Sequence, residues 1–243
     1  MNNREEIKMR TIIRTFVAVL ALAACAAHAD DFDGFRNASA SDLKPFARDL
    51  GGLLGTGLNQ TARPLGFSGF DFGVRASAQF TPSHGDTVLK KDNMFGLGLV
   101  QAEIGMPYRI DGFVRGGSYE GLTVAGGGLR YGLWNVSDEK GKINAMLIGM
   151  ANMATNQYFY AVHFNTSVMC SINVPTVVPY LAAGYDFTRL TAQTTAMPDT
   201  KVSVSEPRFL AGVRVKLGLG YISAGVTYTH DRFLTNAGAG FRF

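Results

Sequence analysis

The chain has 243 residues, 47% hydrophobic, 17% charged and 11% aromatic, with 29 glycines and a formal net charge of +4. Part of that charge is N-terminal: removing residues 1–29 takes away four basic and two acidic side chains and leaves 19 against 17, about +2, so nothing calls for a nucleic-acid partner. The one uninterrupted apolar run, Phe16–Ala27, falls short of the about 20 residues a spanning helix needs, so this chain crosses a bilayer with strands if it crosses one.

Residues 1–29 read as an export signal. Arg4, Lys8, Arg10 and Arg14 form the positive region, the apolar run follows, and Ala27-His28-Ala29 supplies a cleavage site before Asp30. Leu22-Ala23-Ala24-Cys25 offers a competing lipobox with Cys25 as a lipidated terminus; cleavage after Ala29 is preferred, because a barrel needs no lipid anchor. Neither alternative permits an internal disulfide.

Residues 30–66 form a separate segment, periplasmic or folded as a plug. Leu43, Phe46, Ala47, Leu50 and Leu53/Leu54 recur at helical spacing, Ser41 stands where a cap belongs, and Gly51-Gly52 weaken the far end. A short amphipathic helix cannot stand alone in water, so its stripe must lie on the membrane surface, the barrel mouth or the barrel interior.

From about residue 67 to 243 the period becomes two. Phe70, Phe72, Val74, Ala76 and Ala78 share one face against Asp71, Gly73, Arg75, Ser77 and Gln79, the apolar-out, polar-in alternation of a transmembrane barrel strand. Breaks at turn-rich points predict strands near 67–81, 96–106, 109–118, 121–134, 142–155, 157–172, 176–190, 205–217, 220–230 and 234–243. The predicted fold is all-β: a transmembrane antiparallel up-and-down barrel of about ten strands with a short N-terminal helix. Long connections at 82–95 and 191–204 follow odd-numbered strands, as they must if both barrel ends are periplasmic. Tyr108, Tyr119, Tyr131, Trp134, Tyr158, Tyr185, Phe187 and Tyr221 near strand ends read as interfacial girdle residues.

An export signal, alternating strands and the terminus NAGAGFRF, with Phe241 and Phe243 two apart, resemble Gram-negative outer-membrane β-barrel proteins. The resemblance implies an outer-membrane location, contact with outer-membrane lipid, and insertion by the barrel-assembly machinery reading the Phe241/Phe243 strand. It identifies a class and a route, and no cargo.

No catalytic, cofactor or metal motif appears. His163, Ser167, His230 and Asp231 are the residues to weigh for acyl transfer, but His163 and Ser167 lie four apart on one extended strand, too far to touch, and no enzyme is expected. The charged positions predicted to face the lumen are Asp71, Arg75, Glu103, Arg130, Asp186, Arg208, Arg214 and Lys216, reading either as a salt-bridged interior or as a weakly anion-favouring passage. One strand breaks the pattern: Met146, Ile148 and Met150 make an inward face that is apolar, so the helix or a hydrophobic ligand must meet it there. The leading expectation is a narrow channel or binding barrel for small or hydrophobic solutes. The alternatives are a structural or adhesive protein with a blocked lumen and, less favoured, a lipid-modifying enzyme.

Overall fold

The computed structural model describes residues 32–57, 60–89, 94–134 and 139–243; the predicted signal, with Cys25 and the Ala29 site, lies outside the described residues. The alternation resolves into β1 Phe70–Gln79, β2 Phe95–Met106, β3 Ile110–Tyr119, β4 Leu122–Gly132, β5 Ile143–Asn156, β6 Phe159–Ile172, β7 Val177–Thr194, β8 Met197–Leu217, β9 Gly220–Thr229 and β10 Arg232–Arg242. Each strand pairs antiparallel with its neighbours in sequence, and β1 pairs with β10, closing the barrel. Closure runs from Asp71↔Arg242 to Gln79↔Leu234. It is finished by Phe70 and Phe243, which exchange backbone hydrogen bonds of 2.9 and 3.0 Å and stack their rings at 6.2 Å. A closed ladder satisfies every strand's backbone internally, which hydrocarbon requires.

The outer surface carries Phe72, Leu129, Val168, Phe209, Val213, Ile222 and Val226, while Asp71, Arg75, Ser77 and Gln79 of β1 are buried inside. Among the described residues no helix is long and apolar enough to cross a membrane.

The mouth that holds Phe70 and Phe243 also holds the turns at 107–109, 173–176 and 218–219. The opposite mouth holds residues 80–89 and the turns at 120–121, 157–158, 195–196 and 230–231. Short turns are periplasmic in such barrels and long connections extracellular, and the two ends are called the inner and outer mouth accordingly.

The expected loop at 191–204 is not a loop. β7 and β8 run on as a hairpin that meets at Thr195–Ala196, with an irregularity in register between Thr191 and Gln193. The Thr- and Gln-rich composition suggested a turn, but Val202 and Val204 alternate with Lys201 and Ser203 and so extend the ladder. Of the expected 82–95 connection, residues 83–89 fold toward the lumen, with Val88 and Leu89 buried. Of the expected girdle, Tyr108, Tyr131, Trp134, Tyr185 and Phe187 are exposed, whereas Tyr158 and Tyr221 are buried inside the barrel.

The segment before the barrel lies in the lumen. A 3₁₀ turn, Asp33–Asn37, precedes α1, Leu43–Leu54. Asp42 at its start closes a local loop instead of capping the helix, accepting from the amide and hydroxyl of Ser39 at 2.8 and 2.7 Å. Leu43, Phe46, Ala47, Leu50, Leu53 and Leu54 are all buried, packed chiefly on β7 and β8. Gly51 and Gly52 do more than weaken the helix: a Cβ on Gly51 would collide with Thr188, and one on Gly52 would lie 2.6 Å from His230 Cε1. These glycines bring the helix backbone against the barrel wall.

Candidate functional site: the filled lumen

Three layers occupy the lumen from outer to inner mouth. The first is an aromatic cap. Phe32, Phe35, Phe46 and Phe159 pack mostly edge to face with ring centroids 5.1 to 6.0 Å apart, and Phe95, Val88 and Leu89 complete the seal.

Beneath the cap the buried Asp49 of α1 gathers the rim. One carboxylate oxygen accepts from Gln79 Nε2 at 2.5 Å and Ser83 Oγ at 2.7 Å and faces His230 Nε2 at 3.1 Å; the other accepts from the Ser83 amide at 2.7 Å. Burial raises the Asp49 pKa, but the hydrogen bonds from His230 and its other neighbours more than offset this and hold it below the usual range. Asp86, in the β1–β2 connection, is pushed up to about 8, first by burial and then by the hydrogen bond and charge of Asp49, so the two carboxyl groups divide into one ionised and one protonated member.

The middle layer fixes the C-terminal end of α1. Arg208 pairs with Asp186 at 2.6 Å and donates to the Gly52 carbonyl at 2.8 Å. Arg115 donates to the carbonyls of Leu54 and Thr56, the latter at 2.8 Å, and to Asn152 Oδ1 at 2.9 Å; Asn152 in turn donates to Leu54 at 2.9 Å. Helix-end carbonyls have no intrahelical partner and carry the negative end of the helix dipole, so two wall guanidiniums are the complementary groups. His163 stands beside Thr188 Oγ1 at 2.9 Å and Asp186 at 3.5 Å.

The inner layer grips the chain as it descends from α1 to β1. Arg130 pairs with Glu103 at 2.5 Å and donates to the Thr61 carbonyl at 2.6 Å; the Ala62 amide donates to Ser171 at 2.9 Å. Asp111 accepts from the Leu65 amide at 3.0 Å, and Arg242 donates to the carbonyls of Arg63 and Pro64 at 2.6 and 2.9 Å. Asp71 serves both Arg75, at 3.4 Å, and Tyr221, at 2.5 Å, with Arg214 at 3.7 Å.

The structure therefore buries Asp71, Arg75, Glu103, Arg130, Asp186, Arg208 and Arg214 inside the barrel, and leaves Lys216 half-buried at the inner mouth, donating to Asn173 and Val174. Met146, Ile148 and Met150 also face inward, but α1 is not their main partner. They pack with Ala62, Phe113, Met169, Tyr180 and Leu210, and α1 packs instead on a set that includes Leu97, Leu99, Leu122, Val124 and Leu190.

Sequence reasoning passed over Asp111 and Arg115. The signal was present, since Asp111, Phe113 and Arg115 alternate on one face as Asp71, Gly73 and Arg75 do in β1. Asp49 was hidden inside an apolar helical stripe.

The four residues weighed for acyl transfer are not assembled. His163 and Ser167 are buried in β6 beside different partners, His230 turns inward to Asp49, and Asp231 turns outward to accept from Tyr228 at 3.0 Å. Ser83 donates to Asp49 and not to His230. Among the described residues no group of three His, Cys, Asp or Glu side chains is placed to hold a metal ion.

No family model matches the chain, and no curated protein matches its sequence. Some solved structures are similar to it in part. Ail, the attachment invasion locus protein of Yersinia pestis, is 13% identical over 72% of this chain and 97% of its own, with a TM-score of 0.37. Neisserial surface protein A is 14% identical over 72% and 95%, with a TM-score of 0.32. LpxR from Salmonella typhimurium is 6% identical over 72% and 100%, with a TM-score of 0.34. By its own strand order, this chain is a closed, ten-stranded antiparallel barrel.

Proposed function

We propose that the protein is a self-plugged outer-membrane barrel that acts as a structural or contact-making element through its outer mouth, with its lumen held shut by residues 32–57 and 60–66. The observation that carries this is the fastening of α1: its last carbonyls are held by Arg115 and Arg208, and the chain below them by Arg130, Asp111 and Arg242. Hydrogen bonds to charged groups contribute about 1.5 to 3 kcal/mol each, so five such anchors favour the seated plug by roughly 7 kcal/mol or more before any apolar burial.

The reading includes export through the N-terminal signal and insertion by the barrel-assembly machinery through Phe241 and Phe243. The β7–β8 hairpin, which extends past the rim to Thr195–Ala196, is the part offered to other surfaces. Planar-bilayer recording separates this reading from that of a narrow solute channel. A plugged barrel inserts without steady conductance, and steady single-channel steps in the wild-type protein would refute it.

A further inference from the structure

We propose that the outer stretch of β8 is an open strand edge that takes up an extended segment of another polypeptide, with a carboxylate side chain opposite Lys201. This rests on the contact-making reading above and names the partner's chemistry. β8 pairs with β7 as far as Met197, but with β9 only as far as Arg208↔Thr229, so Met197–Pro207 has a neighbouring strand on one side alone. The Lys216 amide donates to the Thr176 carbonyl at 2.8 Å, which makes that opposed pair a hydrogen-bonded one. Hydrogen-bonded and non-bonded pairs alternate along an antiparallel ladder. Even-numbered residues of β8 therefore bond to β7, and odd-numbered ones turn their N–H and C=O toward β9 or, beyond Arg208, toward the open side. The irregularity in register lies past Thr191↔Lys201, so the alternation reaches Lys201. Lys201, Ser203 and Ser205 are all exposed, and among the described residues no main chain pairs with them on that side.

Such an edge is a template for a further strand, whose main chain supplies affinity and whose alternate side chains supply specificity. Its length is limited from both ends. Pro207 has no N–H to give, and Pro198 stands past the irregularity, so only a short segment fits. The edge is also held in place: Val204 is buried, Val202 packs on the cluster beneath the aromatic cap, and Glu206 pairs with Arg48 of α1 at 2.7 Å. A preorganised edge loses little freedom on binding. The occupant's charge follows from Lys201, which is exposed and has no ion pair among the described residues. Glu206 is taken by Arg48, Asp231 accepts from Tyr228, and Asp199 stands in left-handed backbone at φ 54, outside the paired register. Opposed residues of opposite charge attract and like charges repel, so a carboxylate is favoured opposite Lys201.

The test combines hydrogen–deuterium exchange with fluorescence anisotropy on the folded protein in detergent. The probes are a labelled peptide of alternating valine and threonine with one central aspartate, and its twin with lysine there. In the free protein the amides of Lys201, Ser203 and Ser205 should exchange about tenfold faster than those of Val202 and Val204, and saturating aspartate peptide should remove the difference. Ser203→Pro deletes one edge donor without touching a bond to β7 and should weaken binding about tenfold. Lys201→Glu, at an exposed position that leaves folding intact, should reverse the preference to the lysine peptide. Slow exchange at the three amides in the free protein, binding that leaves them unprotected, no saturable binding at millimolar peptide, or equal affinity in Ser203→Pro overturns the edge. Protection that rises with protein concentration alone assigns it to a second copy and overturns the foreign segment. Failure at the edge leaves the bilayer silent, whereas steady conductance strikes the contact-making reading itself, so the two failures are distinguishable.

Discussion

Replacing Arg115 by Ala removes the group that joins β3 to the end of α1. Arg115 is 4% exposed and donates to two plug carbonyls and to Asn152, so the variant loses two charge-assisted bonds to the plug and leaves the carbonyls of Leu54 and Thr56 facing a void. At about 1.5 to 3 kcal/mol per bond, the seated plug loses roughly 3 to 6 kcal/mol, partly recovered by Asn152, which still donates to Leu54, and by water entering the space. Each 1.4 kcal/mol is tenfold in population, so the unseated fraction should rise about 100-fold or more. Bilayer recording of Arg115→Ala should show transient openings where the wild type shows none, while a heat-modifiability gel shows the barrel still folded. A silent bilayer from a well-folded Arg115→Ala protein, or openings as frequent in the wild type, would refute the reasoning that the middle layer holds the lumen shut.

Gly52→Val places a branched side chain where a Cβ alone would lie 2.6 Å from the His230 ring, so it should expel the plug from the outer mouth and speed protease cleavage between residues 32 and 57; a wild-type cleavage rate would contradict the close approach. Asp86 gives the outer mouth a pH dependence. Its pKa is raised in the fold from 3.8 to about 8, so its contribution to stability is fully present below about 3.8 and is lost as pH rises through about 8. Asp49 is lowered and so works in the opposite sense, contributing above its unfolded pKa of 3.8 and losing that contribution only as pH falls below it, which leaves Asp86 to govern the range from pH 5 to 8. At 1.36 kcal/mol per unit for one proton, that range loosens the mouth by an amount on the order of a few kcal/mol. Clipping within the 80–94 connection should therefore be slower at pH 5.5 than at 8.5, and Asp86→Asn should flatten the difference; faster clipping at acid pH would contradict the sign. Deleting Phe243 removes the ring stacked on Phe70 and the last pair of closing hydrogen bonds, and should sharply reduce the heat-modifiable form in outer-membrane fractions, an outcome that undiminished assembly would exclude.

The barrel was legible in the sequence because an apolar outer face and a polar inner face impose period two on almost every strand, and β1 shows it without exception. The outer half of β7 and β8 was not, because its Thr- and Gln-rich residues read as turn although they pair in the ladder. The amphipathic helix was legible from Leu43 to Leu54, but its place was not: the stripe states that a surface must be covered, and the choice between mouth, membrane and lumen is made by Arg115 and Arg208, distant in sequence, which donate to the helix-end carbonyls. The inward Met146, Ile148 and Met150 called for an apolar partner without naming it, because Ala62, Phe113, Met169, Tyr180 and Leu210 converge on them from four strands and the plug. Asp49 and His230, 181 positions apart, could not be paired from spacing at all.

The central claim is that the chain runs through the lumen from the outer mouth to the inner, and site-specific labelling of intact cells tests it most directly. With both native cysteines replaced by Ser, Asn37→Cys places a single thiol at an exposed position beside the aromatic cap, and Lys140→Cys places one at an exposed position at the inner mouth. A membrane-impermeant maleimide should label Asn37→Cys on intact cells and Lys140→Cys only after the outer membrane is permeabilised; labelling of Asn37→Cys that also requires permeabilisation would contradict the plugged barrel described above.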